Sequence, residues 1–138
     1  MLRHRTDIQV RFGDTDALGH VNNASFASYA ELGRLDFLQT ELGRSVGSII
    51  LASLHLEYRR QVNFRDTVSV ETWVGRLGAS SITLQQIVYA NGERAADVQS
   101  VVVHFDYATS STRPLTDDIR DALAPYVAEG GSSPLGSA

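Results

Sequence analysis

Apolar and polar residues alternate from Ile8 to Phe12, with Ile8, Val10 and Phe12 on one side, which predicts a first strand. Gly13 to Asn22 is loop chemistry, rich in Gly, Asp, Thr and Asn. From Asn23 to about Leu42 the period lengthens. Phe26, Tyr29, Ala30, Gly33 and Phe37 share one helical face, and Ala24, Ala27, Leu35, Leu38 and Leu42 widen it. Asn22 or Asn23 suits the N-cap and Gly43 the stop. A helix apolar over this much of its circumference is expected to be buried rather than laid on a surface.

After Gly47 the period shortens to two. Ala52, Leu54, Leu56, Tyr58, Arg60, Val62 and Phe64 take one face of a long segment, and Ser53, His55, Glu57, Arg59, Gln61 and Asn63 take the other. Thr67 to Leu77, the run around Ile82, Leu84 and Val88, and Val98 to Tyr107 read as three more strands. Asn91-Gly92 is a hairpin signal, because a type I′ turn needs positive φ at both central residues. The order is one strand, one long helix, then four antiparallel strands. A five-stranded antiparallel sheet wrapped around a central helix, an α+β fold, satisfies it. Leu115 to Val127 suits a short terminal helix that Pro125 weakens. One domain is expected over residues 1–128, with 129–138 as a flexible tail.

Composition narrows the function. The chain has 138 residues and a formal net charge of -4, with no basic stripe for nucleic acid. Without cysteine it has no disulfide, thiolate metal site or cysteine nucleophile. No apolar stretch reaches the roughly 18 residues of a membrane span. The basic Met1–Arg5 segment is followed by no apolar run, so no secretory signal is expected and the cytoplasm is the expected location. His4, His20, His55 and His104 are scattered, without metal-ligand spacing, so no metal is expected. His104, in an apolar strand, is expected to be a satisfied core or pocket residue.

The informative segment is VRFGDTDALGHVNNASF, Val10 to Phe26. It places two aspartates, a histidine and two asparagines directly before a helix start, where free N–H groups carry partial positive charge. Such a terminus polarises a carbonyl oxygen, and a nearby carboxylate attacks the carbonyl carbon or activates a water that does. Thioesters suit so sparse a set. Their thiol, with a pKa of about 8.5, leaves without a strong general acid.

Asp14-Thr15-Asp16, Gly19-His20-Val21-Asn22-Asn23 and the aromatic Phe26 resemble the 4-hydroxybenzoyl-CoA thioesterase group of hotdog-fold acyl-CoA thioesterases. Tyr58-Arg59-Arg60, Phe64-Arg65-Asp66 and Gly78-Ala79-Ser80-Ser81 extend the similarity. The resemblance implies a hotdog fold and hydrolysis of acyl-CoA to free acid and coenzyme A. It implies Asp16 as the catalytic carboxylate, nucleophile or general base, and the Asn23 backbone N–H as the group that polarises the carbonyl. Phe26 departs from the tyrosine often found there, which removes any hydroxyl role. Asp14 is read as structural. Gly19, His20, Val21 and Asn22 are substrate-binding candidates. Arg59, with Arg60, Arg65 and Arg76, is weighed for the coenzyme A phosphates against plain sheet-edge arginines, and Ser80 and Ser81 for the pantetheine arm against a tight turn. No cofactor is implied, and a homodimer or a homotetramer of paired dimers is.

Two other functions fit the same elements: a hotdog hydratase or dehydratase on acyl-CoA, and a non-catalytic acyl-CoA binding module. The hydratase pattern D-x-N-P-x-H places its aspartate and histidine five apart, whereas Asp16 and His20 are four apart without Asn-Pro. Gly43-Arg44-Ser45-Val46-Gly47 matches a G-x-S-x-G elbow, but with a helix before it and a strand after it, the reverse of the order that makes Ser45 a nucleophile.

Overall fold

The computed structural model describes residues 1–43 and 48–129. Its elements are β1 (His4–Ile8), α1 (Asn23–Leu42), β2 (Ile49–Tyr58), β3 (Val68–Leu77), β4 (Ser81–Ala90), β5 (Glu93–Asp106), β6 (Ser111–Thr112) and α2 (Asp117–Leu123). The long strands run antiparallel in the order β1-β3-β4-β5-β2, and the two-residue β6 pairs with β5. The sheet therefore has six strands rather than the expected five. Its main path still wraps α1 in the hotdog arrangement. Ser45 and residues 130–138 lie outside the described residues.

Helix α1 begins and ends where its chemistry dictates. The Asn22 side chain accepts from the Ala24 amide at 3.0 Å, and Gly43 adopts φ 59° at the C-cap. Phe26, Tyr29, Ala30, Gly33, Phe37 and Leu38 are buried, whereas Ala24 and Leu35 of the predicted apolar face are exposed. One flank of the helix thus stays open in the single chain. Gly33 is the point of closest approach to the sheet: a Cβ there would lie 2.7 Å from Val70 Cγ1. Next to it the buried Gln86 Nε2 donates to Ala30 O at 2.9 Å and Thr72 Oγ1 at 3.1 Å, which satisfies the amide nitrogen inside the helix–sheet contact, while Oε1 is buried without a hydrogen-bond partner among the described residues.

Two strands differ from the alternation pattern. The first strand is His4–Ile8, not Ile8–Phe12. Phe12 instead opens a 3-10 turn, Phe12–Asp14, and stands 82% exposed. The inward positions of β1 are polar because His4 Nε2 and Thr6 Oγ1 each bond Asp36 Oδ2 of α1 at 2.7 Å. Strand β2 begins at Ile49, shifts register between Leu51 and Ser53, and stops at Tyr58. There the Arg59 and Arg60 amides both turn to Ala95 O, so Val62 and Phe64 belong to the connection to β3. The Asn91-Gly92 hairpin has the expected positive φ angles, 53° and 79°. The terminal helix is shorter than Leu115–Val127: α2 is followed by a 3-10 turn, Ala124–Tyr126, holding Pro125. His104 is buried, with Nδ1 3.0 Å from Pro114 O.

Candidate active site

The segment between β1 and α1 is fastened at three points. The buried Asp14 carboxylate accepts from the Arg11 amide at 2.9 Å and the Tyr29 hydroxyl at 2.8 Å. Burial raises the Asp14 pKa, but the Arg11 amide, the Tyr29 hydroxyl and the Arg11 charge together outweigh it and hold the carboxyl below its ordinary value. The same contact, after burial, pushes the Tyr29 phenol well above its ordinary range. Asp14 O accepts from the Asn22 amide at 2.7 Å and from Ser25 Oγ at 3.1 Å, tying the loop to the first turn of α1. Farther on, the Val21 amide donates to Val62 O at 2.7 Å, and His20 bridges Asn63.

Between these anchors lies a closed turn, Asp16 to His20. The Asp16 amide donates to His20 O at 2.7 Å, and Gly19, at φ 82°, donates to Asp16 O at 3.1 Å. Asp16 Oδ1 accepts from the Leu18 and His20 amides at 2.8 and 3.2 Å. Asp16 Oδ2 takes no hydrogen bond among the described residues. One oxygen of this carboxylate therefore holds the turn, and the other is open to chemistry. The exposed Asn23 amide is also unengaged among the described residues, because the Asn22 cap serves Ala24 instead.

Asp16, His20, Val21 and Asn23 line one cavity of about 240 Å³ with Phe26 and Tyr58. Phe26 supplies an apolar floor, edge-on to Tyr58 at 5.2 Å, and the Tyr58 hydroxyl donates to Asn23 O at 2.9 Å. A larger cavity of about 660 Å³ lies along β1 and α1, but no residue of the first turn of α1 lines it. We take the smaller one as the candidate site for that reason. Tyr58 is not a site candidate in the sequence reading; its place in the Tyr58-Arg59-Arg60 similarity is the available signal.

The other candidates are placed differently. Asn22 is the helix cap, and Gly19 supplies the positive φ of the turn. Arg59 lines the cavity, yet its Nε donates to the fully buried Asp97 at 2.6 Å and its Nη2 to Glu57 at 3.3 Å. Arg60 pairs with Glu93. The exposed Arg65 and Arg76 form no ion pair among the described residues. Ser80, in the β3–β4 turn, and Ser81, the first residue of β4, lie at the opposite end of the sheet. Strands of 10 residues separate them from Asp16, roughly 30 Å within one chain. Among the described residues no three metal-ligating side chains cluster, and no helix is long and apolar enough to cross a membrane.

Residues 10–123 match the thioesterase-like superfamily. The long-chain acyl-CoA thioesterase FadM of Escherichia coli is 25% identical over 130 residues, 89% of this chain and 98% of its own. A Thermus thermophilus thioesterase crystallised with coenzyme A and Zn is 35% identical, with a TM-score of 0.82 over 88% of this chain and 92% of that one. A predicted thioesterase from Bacillus stearothermophilus is 28% identical, with a TM-score of 0.85 over 92% of this chain and 98% of that one.

Proposed function

The chain belongs to the thioesterase-like superfamily, and from that premise we propose that it hydrolyses acyl-coenzyme A thioesters to the free acid and coenzyme A. The observation that carries the reading is the pairing of an unengaged Asn23 amide with a half-free Asp16 carboxylate on one small cavity. The Asn23 N–H donates to the thioester oxygen as charge builds there, and one such donor is worth about 3 kcal/mol of barrier. Asp16 Oδ2 attacks the carbonyl carbon or takes a proton from the attacking water. Coenzyme A then leaves as the thiolate; after direct attack, water hydrolyses the Asp16–acyl anhydride to release the acid and restore the carboxylate. The resemblance of the loop motif supports membership of the 4-hydroxybenzoyl-CoA thioesterase-like group, and we propose that the chain acts in the cytoplasm as one domain over residues 1–128.

The active unit we propose is a homodimer, alone or within a homotetramer. Strand β2 closes the sheet path on one side and pairs only with β5 among the described residues, and Leu51, Leu54 and Tyr58 on it are exposed. Antiparallel pairing of two β2 edges turns the second copy end for end. That brings its Ser80 and Ser81 to the Asp16 end of the first, where they meet the pantetheine arm.

A screen of acyl-CoA substrates with a thiol reagent tests the function. Thiol release is expected, falling by orders of magnitude in Asp16→Ala. Release that survives this substitution removes the assignment. Light scattering on the same protein reports the assembly.

A further inference from the structure

His20 is held unusually firmly for a loop histidine. Its backbone bonds Asp16 on one side and bridges Asn63 on the other. His20 lines the same cavity as Asp16 and Asn23. The two ring nitrogens differ. Nδ1 is sealed from solvent and has no hydrogen-bond partner. Nε2 makes no hydrogen bond among the described residues and is not among the sealed atoms, so it is the nitrogen that remains reachable. A neutral imidazole carries one N–H and one lone pair. A proton on Nδ1 would be a buried donor without an acceptor, the rarer and costlier kind of orphan. A proton on Nε2 leaves only a bare lone pair inside and points a donor outward. The hydrogen-bond pattern therefore selects the Nε2–H tautomer.

We propose that His20 Nε2–H is the second donor to the thioester oxygen, acting beside the Asn23 amide; this rests on the hydrolase reading above. His20 and Asn23 line the same cavity of about 240 Å³, the one in which the reading above seats the thioester carbonyl. As water oxygen bonds to the carbonyl carbon, its proton passes to Asp16 and the carbonyl π pair moves onto oxygen. Both donors hold that oxyanion. The C=O bond then re-forms, the C–S bond breaks, and the departing thiolate recovers the proton from Asp16. His20 transfers no proton.

Glutamine and asparagine separate the two ring positions, since the Gln amide nitrogen reaches about as far as Nε2 and the Asn nitrogen about as far as Nδ1. In His20→Phe, kcat is expected to fall about 10²–10³-fold with KM within about threefold. His20→Gln is expected to recover at least tenfold of the loss, and His20→Asn to recover none. A readout free of turnover is the infrared carbonyl stretch of a bound acyl-CoA ketone analogue in which CH2 replaces sulfur. Its shift to lower frequency should shrink in the Phe and Asn variants and persist in the Gln variant. An unchanged stretch in His20→Phe overturns the proposal, as does equal rescue by Asn and Gln. So does a limb in the pH profile of kcat that disappears in His20→Gln, because it makes the ring an acid or base. Absence of wild-type thiol release would sink the hydrolase reading, while the carbonyl stretch still judges the donor.

Discussion

Tyr29→Phe removes one oxygen and tests the anchor on which the loop geometry depends. The lost group is the hydroxyl that donates to Asp14 Oδ2 at 2.8 Å, and Asp14 is only 7% exposed. The Arg11 amide at 2.9 Å and the Arg11 guanidinium at 3.4 Å remain, so the carboxylate is weakened rather than orphaned. A hydrogen bond to a charged acceptor contributes about 1.5–3 kcal/mol, and partial compensation places the expected loss near 2 kcal/mol. Urea unfolding measured across pH is the assay. Asp14 is depressed in the fold, so its contribution is complete above the ordinary carboxylate range and is lost as pH falls through the folded value. Tyr29 is raised, so its contribution is complete below about pH 10 and is lost as pH rises beyond that. The gap between wild type and Tyr29→Phe should therefore be flat from about pH 5 to 8 and narrow at both extremes. A difference below about 0.5 kcal/mol at neutral pH, or a gap that ignores pH, refutes the reasoning.

Two further substitutions test packing and charge. Gly33→Ala gains about 1 kcal/mol of helix propensity but drives a Cβ to 2.7 Å from Val70 Cγ1 and 3.1 Å from Gln86 Nε2. Overpacking of about 1–3 kcal/mol should win, and a thermal melt that rises instead would show that the sheet yields. Arg59→Ala leaves the fully buried Asp97 with Arg94 as its remaining cation, so about 3 kcal/mol of stability should go while KM for acyl-CoA changes less than twofold. A raised KM with an unchanged melt would instead make Arg59 a phosphate ligand.

Much of the fold was legible because its signals were local. Asn22 and Gly43 bound α1 through their own side chain and φ, and Asn91-Gly92 sets the β4–β5 turn by backbone preference alone. What failed depended on partners distant in sequence. Strand β1 hides from a hydrophobic period because His4 and Thr6, its inward residues, meet a carboxylate on α1 rather than the apolar core. Strand β2 seemed longer because the alternation runs on through Val62 and Phe64, while the strand ends when Arg59 and Arg60 share one carbonyl of β5. A bulge near Ala52 also breaks the face that simple alternation assigns.

The site divides the same way. Asp16, His20, Val21 and Asn23 come together because a span of eight residues cannot separate them far, and the turn hydrogen bonds close it. Arg59 and the serines are a different matter. Whether an arginine is free depends on which strand lies next to it, and here that strand supplies the buried Asp97. In the dimer proposed above, Ser80 and Ser81 reach Asp16 by way of a second copy, and no motif within one chain encodes which edge it meets.

The double duty proposed for Asp16 makes the sharpest test of the loop. As an anchor it needs only an acceptor at Oδ1 for the Leu18 and His20 amides. As a catalyst it needs the charge or basicity of Oδ2. Asparagine keeps the first and discards the second, whereas alanine discards both. Asp16→Asn should therefore melt within about 0.5 kcal/mol of wild type yet lose thiol release as completely as Asp16→Ala. The alanine variant should also lose about 1–2 kcal/mol of stability, the weight of two amides left without their acceptor. An asparagine variant that stays active would show that the carboxylate only holds the turn. Inactive variants with equally damaged melts would show that the charge, not the acceptor, keeps the turn closed.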